Sequence, residues 1–236
     1  MNTVIIMAGG TGGHIYPALA VGTALRERGV KVCWMGVHDG LESRLARDEG
    51  FEFDSVRTRG VWGKGITRWL TMPLWISVAI LQCISIILRR RPDALLGMGG
   101  YVCGPGGLAG WLLRRPLVIH ESNLIPGFTN RVLAFLATRV LTGFEDTKLA
   151  GKPIWVGTPI REKIIKTGEN RDLSDLERHR SLNLLVIGGS QGARALNEAL
   201  PEALANLPDD LIPNVRHQSG AGMGADTVQH LSLIHI

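Results

Sequence analysis

Cysteine is scarce in this chain of 236 residues: Cys33, Cys83 and Cys103 are all there is. They are widely spaced and no CxxC occurs. That excludes a disulfide framework and a cysteine zinc site, and it fits a reducing cytosol. Charge of one sign is also sparse. The net charge is +5, with neither a regular basic helix nor the signature of a nucleic-acid module, so no nucleic-acid partner is expected. The opening "MNTVIIMAGG" lacks a basic region and a long apolar core, and it reads as a first strand rather than a signal peptide. Two nucleotide fingerprints are missing as well. No lysine follows any glycine cluster as a Walker A loop requires. The dinucleotide pattern GxGxxG would need glycine at Ile15 after Gly10 and Gly12, or at Val102 after Gly97 and Gly99.

What the chain does have is apolar matter and glycine. Hydrophobic residues make up 45% and charged residues 20%, which predicts a packed core and excludes wholesale disorder. "TVIIMA" (3–8) is an apolar run that stops at glycines, as a buried parallel strand does. A helix over 16–29 follows, with Pro17 in its first turn and Gly29 after its end. Strands are predicted at 31–36, in "FEFDSVR", and at 93–100 and 116–121, with two short ones in "RVLTGF" and "PIWVG". "LESRLARDEG" and 126–137 read as helices. The alternation predicts an α/β fold, a parallel sheet with helices on both faces. Residues 163–179 are polar without an apolar period and read as a linker or surface segment. "LNLLVIGGSQGARALNEALPEAL" (182–204) repeats the grammar of strand, glycine turn and helix, and "NVRHQSG" (214–220) adds a second strand. The expected division is an N-terminal Rossmann-like domain over 1–161 and a linker with an incomplete second domain over 162–236.

Three glycine turns end predicted strands: "GGTGGH" (9–14), "GMGGYVCGPGG" (97–107) and "GGSQGAR" (188–194). Such turns present backbone N–H groups and the positive end of a helix dipole, which suit phosphate. A tight corner without a ligand accounts equally for any one of them. All three together, at the carboxyl ends of strands, point to a phosphate-bearing ligand.

With "HESN" (120–123), "GTPIR" (157–161) and "HQSG" (217–220), these turns stand in an order that resembles the MurG family of bacterial N-acetylglucosaminyltransferases. The resemblance runs from about Val4 to Gly220. It implies a GT-B type fold and a hexosyltransferase of peptidoglycan synthesis. The sugar donor would be UDP-N-acetylglucosamine. The acceptor would be the undecaprenyl-diphosphate-linked muramyl peptide, lipid I, which is converted with inversion to lipid II. Neither a metal nor a cofactor is implied. Thr11, Gly12, Gly13, Asn123, Arg161 and Ser190 correspond to substrate-binding positions. The amide of Asn123 and the hydroxyl of Ser190 suit hydrogen bonding, and Arg161 offers a fork for phosphate. Inverting transfer needs a base, and His14 at the mouth of the first turn is the candidate; a phosphate ligand or a helix cap is the other reading. Glu121 is a second candidate base, or a carboxylate that orients the "HESN" loop. Gly99, Gly100 and Tyr101 could hold the acceptor diphosphate or simply turn a corner.

"WLTMPLWISVAILQCISIILRR" (69–90) carries no charge from 69 to 88. Pro73 is expected to start or break its helix, leaving 15 residues at about 1.5 Å each, short of the roughly 30 Å hydrocarbon core. Strands of one sheet are expected on both sides, which also opposes a span. Docking on an anionic membrane surface through Trp62, Trp69, Trp75 and Trp111, ringed by arginines, is the expectation. The resemblance implies a peripheral enzyme on the cytoplasmic face of the inner membrane. Two other functions stay open. One is a dinucleotide-dependent oxidoreductase, with Asp39 as a ribose-binding acid. The other is a non-catalytic, membrane-docking, acceptor-binding fragment, since the second domain has barely two strands and "LSLIHI" departs from the family pattern. The chain is expected to be inactive or nearly so by itself.

Overall fold

The computed structural model describes residues 2–57, 66–169, 182–189, 192–208 and 211–220, with backbone alone at 66–71 and 169. It divides into two compact units, Met1–Lys166 and Thr167–Ile236.

The first unit is built on β1 (Thr3–Ala8), which pairs in parallel with β2 (Lys31–Val37) on one side and β4 (Ala94–Gly99) on the other. With β3 (Glu52–Val56), β5 (Leu117–Glu121), β6 (Arg139–Thr142) and β7 (Ile154–Trp155), the sheet runs β3-β2-β1-β4-β5-β6-β7, all parallel. Successive side chains of a strand point to opposite faces. Ile5 and Met7 therefore enter one core and Ile6 and Ala8 the other, all at most 1% exposed. Burial on both faces is why the central strands read as unbroken apolar runs.

On one face, α1 (Gly12–Glu27) and α2 (Leu41–Asp48) enclose Trp34, Ile15 and Leu19. On the other, α3 (Ile66–Arg90), α4 (Cys103–Leu112) and α5 (Phe128–Leu133) bury Met35, Cys83, Ile87, Cys103 and Leu133.

Both proline readings need correction. α1 starts at Gly12, before Tyr16, so Pro17 lies inside the helix. α3 passes through Pro73 without ending. Each proline costs one backbone hydrogen bond, to the carbonyl four residues earlier, and a helix anchored by other contacts tolerates that loss. At 25 residues α3 is about 37 Å long, so length does not oppose a membrane span. Met72–Arg90, with mean hydropathy 1.8, is apolar enough to cross one. Topology decides instead: α3 connects β3 and β4 of one sheet, and Ala79, Cys83, Ile86 and Ile87 are buried against that sheet's core. Where a linker or surface segment is expected, the chain forms the exposed helix α6 (Glu162–Glu169), with an i,i+4 pair between Glu162 and Lys166 at 2.7 Å.

In the second unit, β8 (Asn183–Ile187) and β9 (Asn214–Gln218) form a two-stranded parallel sheet beside α7 (Arg194–Ala205). β8 exposes Leu185 and Ile187, at 64% and 62%.

Candidate functional site

After β1 the chain enters α1 on one face, and after β4 it enters α4 on the other. The gap between these neighbouring strands is a topological switch point, where open α/β sheets bind ligands. The first two glycine turns meet there. Gly9 N–H donates to the Gly99 carbonyl at 3.1 Å. Gly100 has φ +94°, and a Cβ there would collide with the Gly9 carbonyl oxygen. Gly99 has φ +111°, and its Cβ would fall 2.5 Å from His14 Nδ1. Glycine at 99 thus lets the His14 ring lie directly over the second turn.

Thr11 caps α1 without a side-chain hydrogen bond. Its carbonyl accepts the N–H groups of His14 (3.1 Å) and Ile15 (3.2 Å). Gly12 and Gly13 form the first turn of α1, the end of a helix that favours an anion. His14 Nδ1 is enclosed without a hydrogen-bond partner of good geometry. Burial holds the pKa of His14 below the ordinary imidazole value of 6.5. The Glu121 charge and the Met98 backbone oppose that shift, and His120 adds to it. The neutral ring, with a lone pair to offer, is therefore the favoured form.

Glu121, at the end of β5, is 1% exposed and fully engaged. Its Oε1 accepts the backbone N–H and the side-chain amide of Asn123, both at 2.9 Å. Its Oε2 accepts Gly127 N–H at 3.1 Å and the Asn130 amide at 2.9 Å. These four bonds shape the 122–127 loop and the start of α5, and Asn123 is exposed on that loop. His120 Nε2 bonds the Gly157 carbonyl at 2.9 Å, which ties "HESN" to "GTPIR". Arg161 is then placed over the ring of Tyr16, 4.3 Å from its centroid, on the first turns of α1. Tyr101 is 44% exposed beside the second turn.

The first unit thus gathers Thr11, Gly12, Gly13, His14, Gly99, Gly100, Tyr101, Glu121, Asn123 and Arg161 around the carboxyl ends of its strands. Ser190 lies outside the described residues, as do Trp62 and the side chain of Trp69. Trp75 and Trp111 are 39% and 49% exposed on the α3–α4 layer. In the second unit, Gly188 N–H donates to the Gln218 carbonyl at 3.2 Å, which joins the "GGSQGAR" and "HQSG" turns, and the Asn197 amide of α7 donates to the Ser219 carbonyl at 2.9 Å. Sequence reasoning missed Tyr16, Asn130 and Glu42, because their partners are distant in sequence or ordinary in type. No group of three or more metal-ligating side chains occurs among the described residues.

The doubly wound sheet and its switch-point site define an α/β protein of GT-B type, an N-terminal Rossmann-like domain with the start of a second. Residues 4–142 match the N-terminal domain of glycosyltransferase family 28 and residues 183–233 its C-terminal domain, so the chain belongs to that family. Two curated relatives carry the name UDP-N-acetylglucosamine–N-acetylmuramyl-(pentapeptide) pyrophosphoryl-undecaprenol N-acetylglucosamine transferase. The one from Alkalilimnicola ehrlichii is 49% identical over 92% of this chain and 60% of its own length. The one from Nitrosococcus oceani is 50% identical over 92% of this chain and 61% of its own. The crystal structure of Acinetobacter baumannii MurG superposes with a TM-score of 0.72 at 34% identity, covering 98% of this chain and 63% of that one. The UDP-GlcNAc 2-epimerase of Neisseria meningitidis shares the fold alone, with a TM-score of 0.63 at 12% identity, over 99% of this chain and 69% of that one. The chain spans about 60% of the length of the curated relatives it matches.

Proposed function

We propose that this chain is the acceptor-side part of an inverting transferase that moves N-acetylglucosamine from UDP-N-acetylglucosamine to the muramyl sugar of lipid I, giving lipid II. The observation that carries the reading is His14. It is half-buried and favoured as the neutral base, at a switch point where a helix N-terminus can receive phosphate. In the step, the acceptor hydroxyl oxygen attacks the anomeric carbon and gives its proton to His14. The bond from that carbon to the diphosphate oxygen breaks, UDP leaves with the electron pair, and the configuration inverts. Arg161 and the amides of Gly12 and Gly13 offer charge and N–H groups to the substrate phosphates. Glu121 serves as the clamp of the "HESN" loop, since its lone pairs are engaged in four hydrogen bonds.

Exposed Leu74, Trp75, Ile76 and Leu81 on α3, with Trp111 and Leu112 on α4, support docking on an anionic membrane from the cytoplasmic side. Arg91 and Arg114 are exposed near these helices' ends. A lipid-linked acceptor is then met at the surface where it resides. The test is a transfer assay on the chain extended to its relatives' full length. Labelled N-acetylglucosamine should pass from UDP to the lipid-linked acceptor. Absence of transfer from an intact, folded protein would overturn the reading.

A further inference from the structure

A recess of about 220 Å³ opens beside the switch point, lined by Gly9, Gly10, Gly40, Glu42 and Tyr101 among others. Its acid is unusual. Glu42 is 2% exposed, yet no cation pairs with it among the described residues. Oε1 accepts Val37 N–H at 3.1 Å. Oε2 accepts none of the hydrogen bonds seen among the described residues and is not among their fully enclosed unpartnered atoms, and it belongs to a side chain that lines the recess. Three glycines make room for this one side chain. A Cβ at Gly9 would fall 2.7 Å from Oε1, one at Gly36 would fall 2.7 Å from Cγ, and one at Gly40 would strike the carboxyl group. The first turn of α2 offsets part of the burial cost through its dipole. A carboxylate oxygen left over at the wall of a recess is a ready acceptor for a donor on a ligand.

The chemistry narrows the ligand. A carboxylate only accepts hydrogen bonds and repels phosphate. What it receives is a neutral O–H or N–H donor. The Tyr101 ring adds an apolar face and a hydroxyl, a pairing suited to a sugar. We propose that Glu42 is a specificity residue for the acceptor, taking a hydrogen bond from a hydroxyl or acetamido N–H of the acceptor sugar seated in this recess. The acceptor diphosphate is directed away from Glu42, toward the amides of the glycine turns. The proposal rests on the transferase reading above and adds to it which part of the acceptor enters here.

The test uses Glu42→Gln in the full-length protein, because glutamine keeps the shape and the bond to Val37 but removes the charge. The acceptor KM should rise about tenfold or more, with the KM for UDP-N-acetylglucosamine unchanged within about twofold. An unchanged acceptor KM would overturn the proposal. So would a parallel rise in both constants with a lowered unfolding midpoint, which marks a merely structural role. Should the variant fail to fold, or the wild type fail to transfer, amide shifts of the wild type decide. Titration with a short-chain glycosyl diphosphate acceptor, without sugar donor, should move Gly10 and Gly40. Titration with inorganic diphosphate should leave Gly40 in place. No movement of Gly40 at saturating acceptor overturns the proposal. Movement of Gly40 without transfer by the wild type would keep the recess and discard the transferase reading.

Discussion

His14 and Glu121 are titratable neighbours whose surroundings give them different employment. Glu121 accepts four hydrogen bonds and is spent on loop geometry. His14 sits over a glycine backbone with Nδ1 enclosed and unpartnered. Its burial predicts the pH behaviour. The base form is the unprotonated one, so activity is lost as pH falls through the pKa of His14. Because burial lowers that pKa, the acid limb of kcat/KM should lie below 6.5. An acid limb that persists unchanged in His14→Ala would contradict the assignment, and one at or above 6.5 would contradict the effect of burial. His14 was legible in the sequence, because a histidine closing a glycine turn stands out. Glu42 was not. Its stretch, "GLES", looks like any helix start, and only folding brings Gly9 against its carboxyl group and Gly36 against its stem.

Elements were legible where burial imposes a pattern. β1, β2 and β4 are enclosed on both faces and so appear as apolar runs ending in glycine. Helix starts were less legible, because the prolines pointed to boundaries that tertiary contacts override. The Arg161–Tyr16 stack joins elements from opposite ends of the unit and leaves no local trace. The end of α3 is fixed by a device of the same long-range kind. Asp54 on β3 is 6% exposed and accepts Arg90 Nε–H at 2.7 Å, with Arg89 also in reach. That hydrogen bond is the chief reason the Arg90 guanidinium is held even more firmly charged than usual. Asp54→Ala would leave Arg90 without its main partner at a half-buried position. The substitution should lower stability by about 3 kcal/mol, read from urea unfolding. A loss below about 1 kcal/mol would show that Asp54 contributes little to holding the end of α3, where Arg90 also pairs with Glu52.

At the scale of the whole first unit the proposal names two working surfaces, the carboxyl ends of the strands and the outer side of α3 and α4. The second needs exposed apolar groups that a soluble helix would bury, and Leu74 and Leu81 are 64% and 65% exposed. Trp75→Glu should reduce binding to vesicles rich in anionic lipid by about tenfold, since it replaces an apolar anchor with a charge the surface repels. Unchanged binding in a sedimentation assay would remove the docking surface. The central claim concerns the switch point, and one measurement bears on it most directly. In the full-length protein, kcat and sugar-donor affinity are compared between wild type and His14→Ala. The account predicts a kcat lower by about a hundredfold or more, with donor affinity nearly unchanged. An intact kcat with weakened affinity would contradict it, and would make His14 a phosphate ligand rather than the base.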